Sequence, residues 1–136
     1  MLSRVLYEIL QAHPYEKKSV TVRGMRLRLD VADTFLKKMV GLMHRESMGK
    51  VDGMLFRISE PGIVSAAITM MDMKFSIDIV WLNSEKRVVD IARNARPSRS
   101  MFGSYKPRSA ASYVLELKAG EAKRLGIKQN DIFRFS

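Results

Sequence analysis

Residues 41–56 read GLMHRESMGKVDGMLF, and this stretch decides how the fold is interpreted. The predicted core residues within it are Leu42, Met43, Met54, Leu55 and Phe56. Its glycines are predicted to set backbone turns, since glycine adopts conformations that other residues avoid. Only Arg45 and Asp52 are left as side chains available for chemistry. The stretch therefore predicts a fold and not a reaction.

The composition is that of one ordinary globular domain. The chain has 136 residues, of which 46% are hydrophobic and 28% charged, and this is enough to build a single buried core. Cysteine is absent, which excludes disulfides, thiolate metal sites and cysteine nucleophiles. No apolar run is long enough for a secretory signal or a transmembrane helix. We therefore expect a cytoplasmic protein without a transmembrane segment.

The chain is strongly basic. Its 24 Lys and Arg residues exceed its 14 Asp and Glu residues and give a formal net charge of +10. Such an excess attracts polyanions such as nucleic acid, acidic membrane surfaces or acidic partners. Net charge alone also fits a highly soluble surface, so the clustering of the cations decides between these interpretations.

The N-terminal residues are predicted to form an amphipathic helix. Its apolar residues recur at spacings of three and four: Leu2, Val5, Leu6, Ile9 and Leu10. Pro14 should end the helix, because the residue before a proline avoids helical angles. We expect this helix (residues 1–13) to be appended to a single β-rich domain (residues 18–136). The helix would either dock on that domain or provide a contact for an oligomer.

The rest of the chain is predicted to be mostly β. Apolar and polar residues alternate over residues 19–31, which is typical of strands with one buried face. Further strands are predicted at residues 54–58, 63–69, 77–82, 88–92, 113–118 and 132–135. Short helices are predicted after a cap at Asp33 or Thr34 and over residues 120–125. This order favours a compact antiparallel sandwich or barrel, an α+β fold with minor helices.

Several ordered motifs resemble those of domain-of-unknown-function family 192. The residues that carry the resemblance are 41–45 (GLMHR), 52–56 (DGMLF), 68–72 (ITMMD), 77–79 (IDI), 113–117 (YVLEL) with Ala119-Gly120, and finally Gly126 and Asp131. The resemblance implies a compact, mostly antiparallel β domain similar to a jelly roll, with small helices at its edge. It implies no established activity, cofactor or catalytic residue. The N-terminal helix lies outside the shared region.

The chain departs from the family pattern in its middle motif. Thr69 stands where the family usually has a tryptophan, and Met71 where it has a lysine. Asp72 replaces an asparagine and Ser76 a proline. If this motif is a recognition surface in the family, the present chain has lost an aromatic platform and one cation there.

Four charged residues are candidates for a polar pocket: Arg45, Asp52, Asp78 and Glu116. Asp78 and Glu116 both stand within apolar runs, where an unpaired carboxylate is costly to bury. A small-molecule or hydrolytic site around Asp78, Asp52 and Arg45 is one interpretation. The other is structural, with a carboxylate that forms an ion pair or accepts hydrogen bonds from backbone N–H groups.

Enzymatic and metal-binding interpretations have little support. Only His13 and His44 could serve as histidine bases, and neither lies near a known nucleophile motif. Residues 70–73 (MMDM) contain three thioethers that could hold Cu(I), but core packing by flexible side chains is the better explanation, since the chain has no cysteine and no histidine lies nearby. We therefore assign no catalytic residue, metal or cofactor, and expect a binding protein rather than an enzyme.

Residues 93–108, here called the basic loop, are the leading functional candidate. Their predicted ligand-binding residues are Arg93, Arg96, Arg99, Phe102, Tyr105, Lys106 and Arg108, and the loop contains no acidic residue. Arginines that contact phosphates beside aromatics that stack on bases are typical of single-strand recognition. The same composition would also suit a phosphorylated or carboxylate ligand, and the alternative without a function is a solvated basic loop that crosses the end of the sheet. We predict a binding module for an anionic partner, either nucleic acid or another polyanion. A second cationic cluster, which includes Arg26 and Arg28, lies on the first strands.

Overall fold

The computed structural model describes residues 2–100 and 104–136, which form a mostly β fold, as predicted. The elements are α1 (Leu2–Leu10), β1 (Glu16–Val22), β2 (Met25–Ala32), α2 (Phe35–Val40), β3 (Gly53–Gly62), β4 (Ile77–Leu82), β5 (Val88–Ala95), β6 (Ala111–Lys118) and α3 (Glu121–Arg124). The N-terminal helix and the two short helices lie where the sequence predicts them.

The strands form one sheet in the order β1-β2-β3-β6-β4-β5. Four neighbouring pairs are antiparallel, as expected, but β2 and β3 are parallel. The reason is the connection: residues 33–52 run through α2 and the turn after it, so β3 starts at the same end of the sheet as β2. The sheet is open, because the C-terminal segment meets the edge regions only through the single pairs Thr21–Arg134 and Arg87–Ile132.

Both faces of the sheet are buried, because side chains alternate between two cores. On the first face Leu55, Val80 and Leu115 pack against residues of α3 and of the C-terminal segment. On the second face Phe56, Ile79 and Val114 pack under the turn after α2 and under residues 66–73. Glu116 follows Val114 by two positions and therefore points to the second face.

Two predicted strands are not formed. Over residues 63–69 only Ile68 pairs with another segment, and Ile63 and Val64 are exposed. The indole N–H of Trp81 donates to the Ala66 carbonyl at 2.8 Å and so holds this segment across the second face. Residues 132–135 likewise form isolated bridges instead of a strand. Their apolar residues cover the sheet and do not extend it.

The N-terminal helix α1 contacts the body of the protein. Leu10 is buried, and α1 packs against α2. Ser3 donates to the Asp72 carboxylate at 2.7 Å, and the ring of Tyr7 lies 5.8 Å from that of His44. The opposite stripe of the helix faces solvent.

Candidate functional site

A cavity of about 270 Å³ lies over the second face of the sheet. Its wall combines the end of α2 and the turn after it with parts of β3, residues 65–73 and Glu116 of β6. Most of the wall is apolar, and Met39, Phe56 and Ile68 are examples. Residues 41–56, here called the signature stretch, and the middle motif (residues 68–72) thus meet at one concave surface.

Glu116 lies at the floor of this cavity. It is paired in register with Met54 of β3 and Ile79 of β4, and only 4% of the residue is exposed. Its carboxyl forms no hydrogen bond or ion pair with any residue among 2–100 and 104–136. Burial raises the pKa of Glu116 to about 8, and the nearby positive charge of Arg45 opposes this shift only in part. At neutral pH the group is therefore mostly a neutral carboxylic acid that can donate a hydrogen bond.

Gly41 leaves space beside Phe56 and the Glu116 carboxyl, because it has no side chain. It ends α2 with φ +51° and ψ −125°, and its N–H donates to the Lys37 carbonyl at 2.8 Å. A Cβ atom at this position would lie 3.2 Å from Cζ of Phe56 and 4.0 Å from Oε1 of Glu116. The first glycine of the signature is thus both a helix cap and a point of close contact.

The cation at the more exposed part of the cavity wall is Lys38; Arg57 also borders the cavity, but its guanidinium faces Tyr113 on the first face of the sheet. Lys38 donates to the Ser59 hydroxyl at 3.3 Å, and the guanidinium of Arg57 lies 5.7 Å from the centre of the Tyr113 ring. Neither forms an ion pair with an acid in the described part of the chain. The cavity therefore combines a neutral acid at its floor with uncompensated positive charge at its rim.

The structure does not bring together the four residues of the predicted polar pocket. Arg45 pairs with Asp30, with Nη1 to Oδ2 at 3.0 Å, and its guanidinium lies over the ring of Tyr15. Lys17 Nζ lies 2.5 Å from the other oxygen of Asp30, as an ion pair without a well-aligned hydrogen bond. Asp52 accepts from the backbone N–H of Arg28 at 2.8 Å. The partner that sequence reasoning missed is Asp30.

Asp78 has a structural role. Its carboxylate accepts hydrogen bonds from the backbone N–H groups of Asn94, Gly120 and Ala122 at 2.9, 3.0 and 2.9 Å. It thereby joins β5 to the start of α3. With three donors satisfied and 1% exposure, this group has no free face for a ligand.

The predicted basic loop begins inside β5, which extends to Ala95. Arg93 donates to the Ile127 carbonyl at 3.3 Å, and Arg108 pairs with Asp90 at 3.1 Å. The other cations of the loop, Arg96, Arg99 and Lys106, are exposed and, like Arg93, form no ion pair in the described part of the chain. Phe102 lies outside the described residues.

The basic loop is fastened to the cavity wall. Tyr105 and Ile68 exchange two backbone hydrogen bonds of 2.8 Å each, and the Ser98 N–H donates to the Met70 carbonyl at 3.0 Å. Ile68 and the neighbouring Thr69 line the cavity. The middle motif therefore has the cavity on one side and the basic loop on the other, a relationship that no sequence pattern indicates.

Ser3, His44 and Asp72 form a cluster that resembles a catalytic triad in composition only. The Ser3 oxygen lies 2.9 Å from His44 Nε2, and Asp72 Oδ2 lies 3.8 Å from that same nitrogen. In a working triad the carboxylate would orient the other ring nitrogen, and the serine proton would be directed to histidine. Here Ser3 donates to Asp72. The cluster therefore fastens α1 to the turn after α2.

No other chemical centre is evident in residues 2–100 and 104–136. No group of three or more His, Asp and Glu side chains there has the arrangement of a metal site. Met70 and Met73 are buried in the second core. No helix in the same ranges is long and apolar enough to cross a membrane.

Two solved structures are similar to this one. A Sinorhizobium meliloti protein, provisionally described as a transcription regulator, has a TM-score of 0.80 and 29% identity. The match covers 90% of this chain and 95% of that chain. A protein of unknown function from Novosphingobium aromaticivorans has a TM-score of 0.75 and 30% identity, with coverage of 88% and 84%.

Sequence comparisons assign the family. A UPF0127 protein of Thermococcus kodakarensis is 31% identical over 80% of this chain and 65% of its own length. A UPF0127 protein of Thermococcus gammatolerans is 33% identical over 76% and 63%, so the chain spans slightly less than two thirds of these relatives. A UPF0127 protein of Pyrococcus abyssi is 34% identical over 85% of this chain and 90% of its own. The model of DUF192 (Uncharacterized ACR) matches residues 18–135, and the chain therefore belongs to this family.

Proposed function

We propose that the protein binds a small organic anion in the cavity above Glu116. One observation carries this proposal: Glu116, a residue that is only 4% exposed, lines a cavity, and its carboxyl has no hydrogen-bond partner in the described part of the chain. Buried polar groups without partners are rare, because each one costs free energy. A ligand atom that accepts a hydrogen bond from Glu116 would remove that cost.

The charges around the cavity select the kind of ligand. Lys38 at the rim favours an anionic group such as a carboxylate. The walls, which include Met39 and Ile68, favour an apolar body. The floor favours an acceptor such as a carbonyl, since the raised pKa of Glu116 keeps its proton at neutral pH. The ligand class is therefore a compact organic anion with an acceptor at the opposite end.

A matched pair of aromatic acids tests this assignment. 4-Acetylbenzoate carries a carboxylate and a carbonyl acceptor, whereas 4-isopropylbenzoate has the same shape without the acceptor. We expect calorimetry near neutral pH to show tighter binding of the acetyl compound, because only it accepts from Glu116. The cationic analogue 4-acetylbenzylamine should bind more weakly than both acids. Preferential binding of the amine would contradict the proposal.

Substitutions separate the rim from the floor. Lys38→Met should weaken binding of both acids, whereas Lys128→Met, which removes an exposed charge that does not line the cavity, should weaken neither. Glu116→Leu should abolish the preference for the acetyl compound. Glu116→Gln should retain it, since the amide also donates a hydrogen bond.

A second candidate function is the binding of a polyanion by the basic loop. Arg96, Arg99 and Lys106 are exposed and have no ion pair in the described part of the chain, and backbone hydrogen bonds hold the loop against residues 68–70. The provisional description of the Sinorhizobium meliloti protein as a transcription regulator fits this function in a general way. The same cations could also attract the small anion toward the cavity.

Single-stranded oligonucleotides test the second function. Binding measured by fluorescence anisotropy should weaken steeply between about 50 and 200 mM salt if the loop contacts phosphates. Replacing Arg96, Arg99 and Lys106 together by glutamine should reduce both the affinity and its salt dependence. The control variant replaces Lys50, Lys123 and Lys128, which are exposed cations outside the loop. Equal effects of the two variants would exclude a specific role of the loop.

A further inference from the structure

Helices α1 and α2 present a shared apolar face to solvent. On α1 the exposed stripe is Leu2 (69% exposed), Val5 (53%) and Ile9 (48%). On α2 it is Phe35 (75%), Leu36 (37%) and Met39 (45%). The two helices pack against each other, so the two exposed stripes lie on neighbouring elements. We call these six residues the helical face.

The two neighbouring helices carry most of the large apolar side chains that are exposed in the described residues. The helical face contains six of the ten large hydrophobic side chains that are exposed in residues 2–100 and 104–136. Single exposed hydrophobic residues are ordinary, but a group of this kind marks an interaction site. The exposed stripe of α1 is also not needed to hold the helix on the body of the protein, because Leu10 and the contacts of Ser3 do so from the other side of the helix.

We propose that the helical face docks the protein on the surface of an anionic phospholipid membrane. The formal net charge of +10 attracts the whole molecule to such a surface, and the apolar stripes then enter the interface. Arg4 on α1, which pairs with Glu8 at 3.3 Å in the absence of lipid, and Lys38 on α2 have side chains long enough to reach lipid phosphates.

The same charge disfavours a second copy of the chain as the partner. Two molecules of charge +10 repel each other, so an apolar contact between them must overcome that repulsion. An anionic bilayer supplies both the apolar environment and the opposite charge. Charge complementarity therefore selects the membrane over the dimer.

The dimensions of the helices define the mode of binding. Helix α1 has nine residues, whereas a membrane-spanning helix needs about 20. It can therefore lie only in the plane of the interface. Met39 belongs to the helical face and also lines the cavity above Glu116. Docking would place the cavity next to the lipid headgroups.

The absence of cysteine from the chain allows a direct experiment. Ile9→Cys on the helical face and Ile132→Cys outside it each give the full chain one site for an environment-sensitive dye. The dye at position 9 should brighten and shift to the blue with vesicles of phosphatidylglycerol and phosphatidylcholine, but not with phosphatidylcholine alone. The dye at position 132 should not respond.

A double substitution gives an independent measure. Val5→Gln with Phe35→Gln should lower affinity for the mixed vesicles at least roughly tenfold, since two apolar side chains no longer enter the interface. Val64→Gln, which alters a side chain that is 77% exposed outside both helices, should have little effect.

Three results would overturn the proposal. The first is vesicle binding that leaves the emission of the dye at position 9 unchanged, or that changes the emission of both dyes equally. The second is no binding to the mixed vesicles at low salt. The third is a dye response at position 9 without vesicles that follows protein concentration, together with a doubled mass in light scattering, which would identify a second copy as the occupant.

Discussion

Gly41 lies against Glu116 in the wall of the cavity, so that a Cβ atom on Gly41 would be only 4.0 Å from Oε1 of Glu116. Gly41 belongs to the first signature motif, and Glu116 lies about 75 residues later in another motif of the family resemblance. The parallel β2–β3 pair and the β3–β6 pair bring these motifs together. The turn at Gly41 and the buried carboxyl of Glu116 are therefore parts of one site, although they are far apart in the sequence.

Gly41→Ala should destabilise the protein and narrow the cavity. The conformation at φ +51° and ψ −125° suits glycine, and a methyl group would press on the edge of the Phe56 ring at 3.2 Å. We expect a loss of roughly 1–3 kcal/mol in the free energy of unfolding, measured with urea. Gly24→Ala is the matched control, since its φ is +77° but nothing lies within 4 Å of the new methyl. An equal loss in both variants, with ligand binding retained, would show that contact with the cavity is irrelevant.

Gly53→Ala should be more damaging. The Cβ atom would lie 2.2 Å from the backbone oxygen of Glu116, a distance that only a backbone shift can relieve. Because Gly53 joins β2 and β6 in the centre of the sheet, we expect a loss of several kcal/mol or a failure to fold. Thermal unfolding followed by circular dichroism measures this. A melting temperature within a few degrees of the unaltered protein would contradict the β3–β6 register.

The buried carboxyl predicts a pH-dependent stability. The pKa of Glu116 is raised from 4.5 to about 8 in the folded state, so folding favours its protonated form. The stability that this proton provides is complete below about pH 4.5 and is lost as the pH rises through about 8. Glu116→Gln cannot ionise at this position. The two proteins should therefore have similar free energies of unfolding near pH 5. Near pH 8.5 the variant should be more stable by up to a few kcal/mol.

Urea titrations of the two proteins across this pH range provide the measurement. The difference between them isolates Glu116 from all other titrating groups. A difference that stays constant with pH would mean that the carboxyl is solvated in the folded protein.

Asp78→Asn should affect stability and leave ligand binding intact. The amide cannot accept all three backbone hydrogen bonds that the carboxylate accepts, so buried donors at Gly120 and Ala122 lose strength or partners. We expect a loss of roughly 2–5 kcal/mol in the free energy of unfolding. Asp52→Asn is the control, because Asp52 is exposed and accepts one such bond, and it should cost about 1 kcal/mol or less. Loss of 4-acetylbenzoate binding by the folded Asp78→Asn protein would show that Asp78 contributes to ligand binding.

The sequence predicts the elements of this fold better than their arrangement. Alternation of apolar residues identifies most strands, and the turn residues identify the short helices, because both signals are local. The parallel β2–β3 pair is not local, since it depends on the path of residues 33–52. For the same reason Asp30 on β2 could not be recognised as the partner of Arg45.

The two buried carboxylates show which feature of the site cannot be predicted from the sequence, namely the role of each carboxyl group. Asp78 and Glu116 stand in similar apolar runs, but Asp78 is paired in register with Leu117 and Ile79 with Glu116. This offset of one residue places the carboxylates on opposite faces of the sheet. Asp78 meets the backbone N–H groups at the start of α3, whereas Glu116 meets a cavity closed by residues 65–73. Only the register distinguishes a structural carboxylate from a candidate binding group.

The most direct test of the central claim is a carbon-13 NMR titration of the Glu116 side-chain carboxyl, with Glu116→Gln used to assign its signal. In the free protein we expect this carboxyl to titrate with a pKa of about 8. Saturating 4-acetylbenzoate should raise that pKa further and shift the signal, because the bound carbonyl accepts the proton of the neutral acid. A pKa near 4.5 in the free protein, or a signal that the ligand leaves unchanged while it binds elsewhere, would contradict the account.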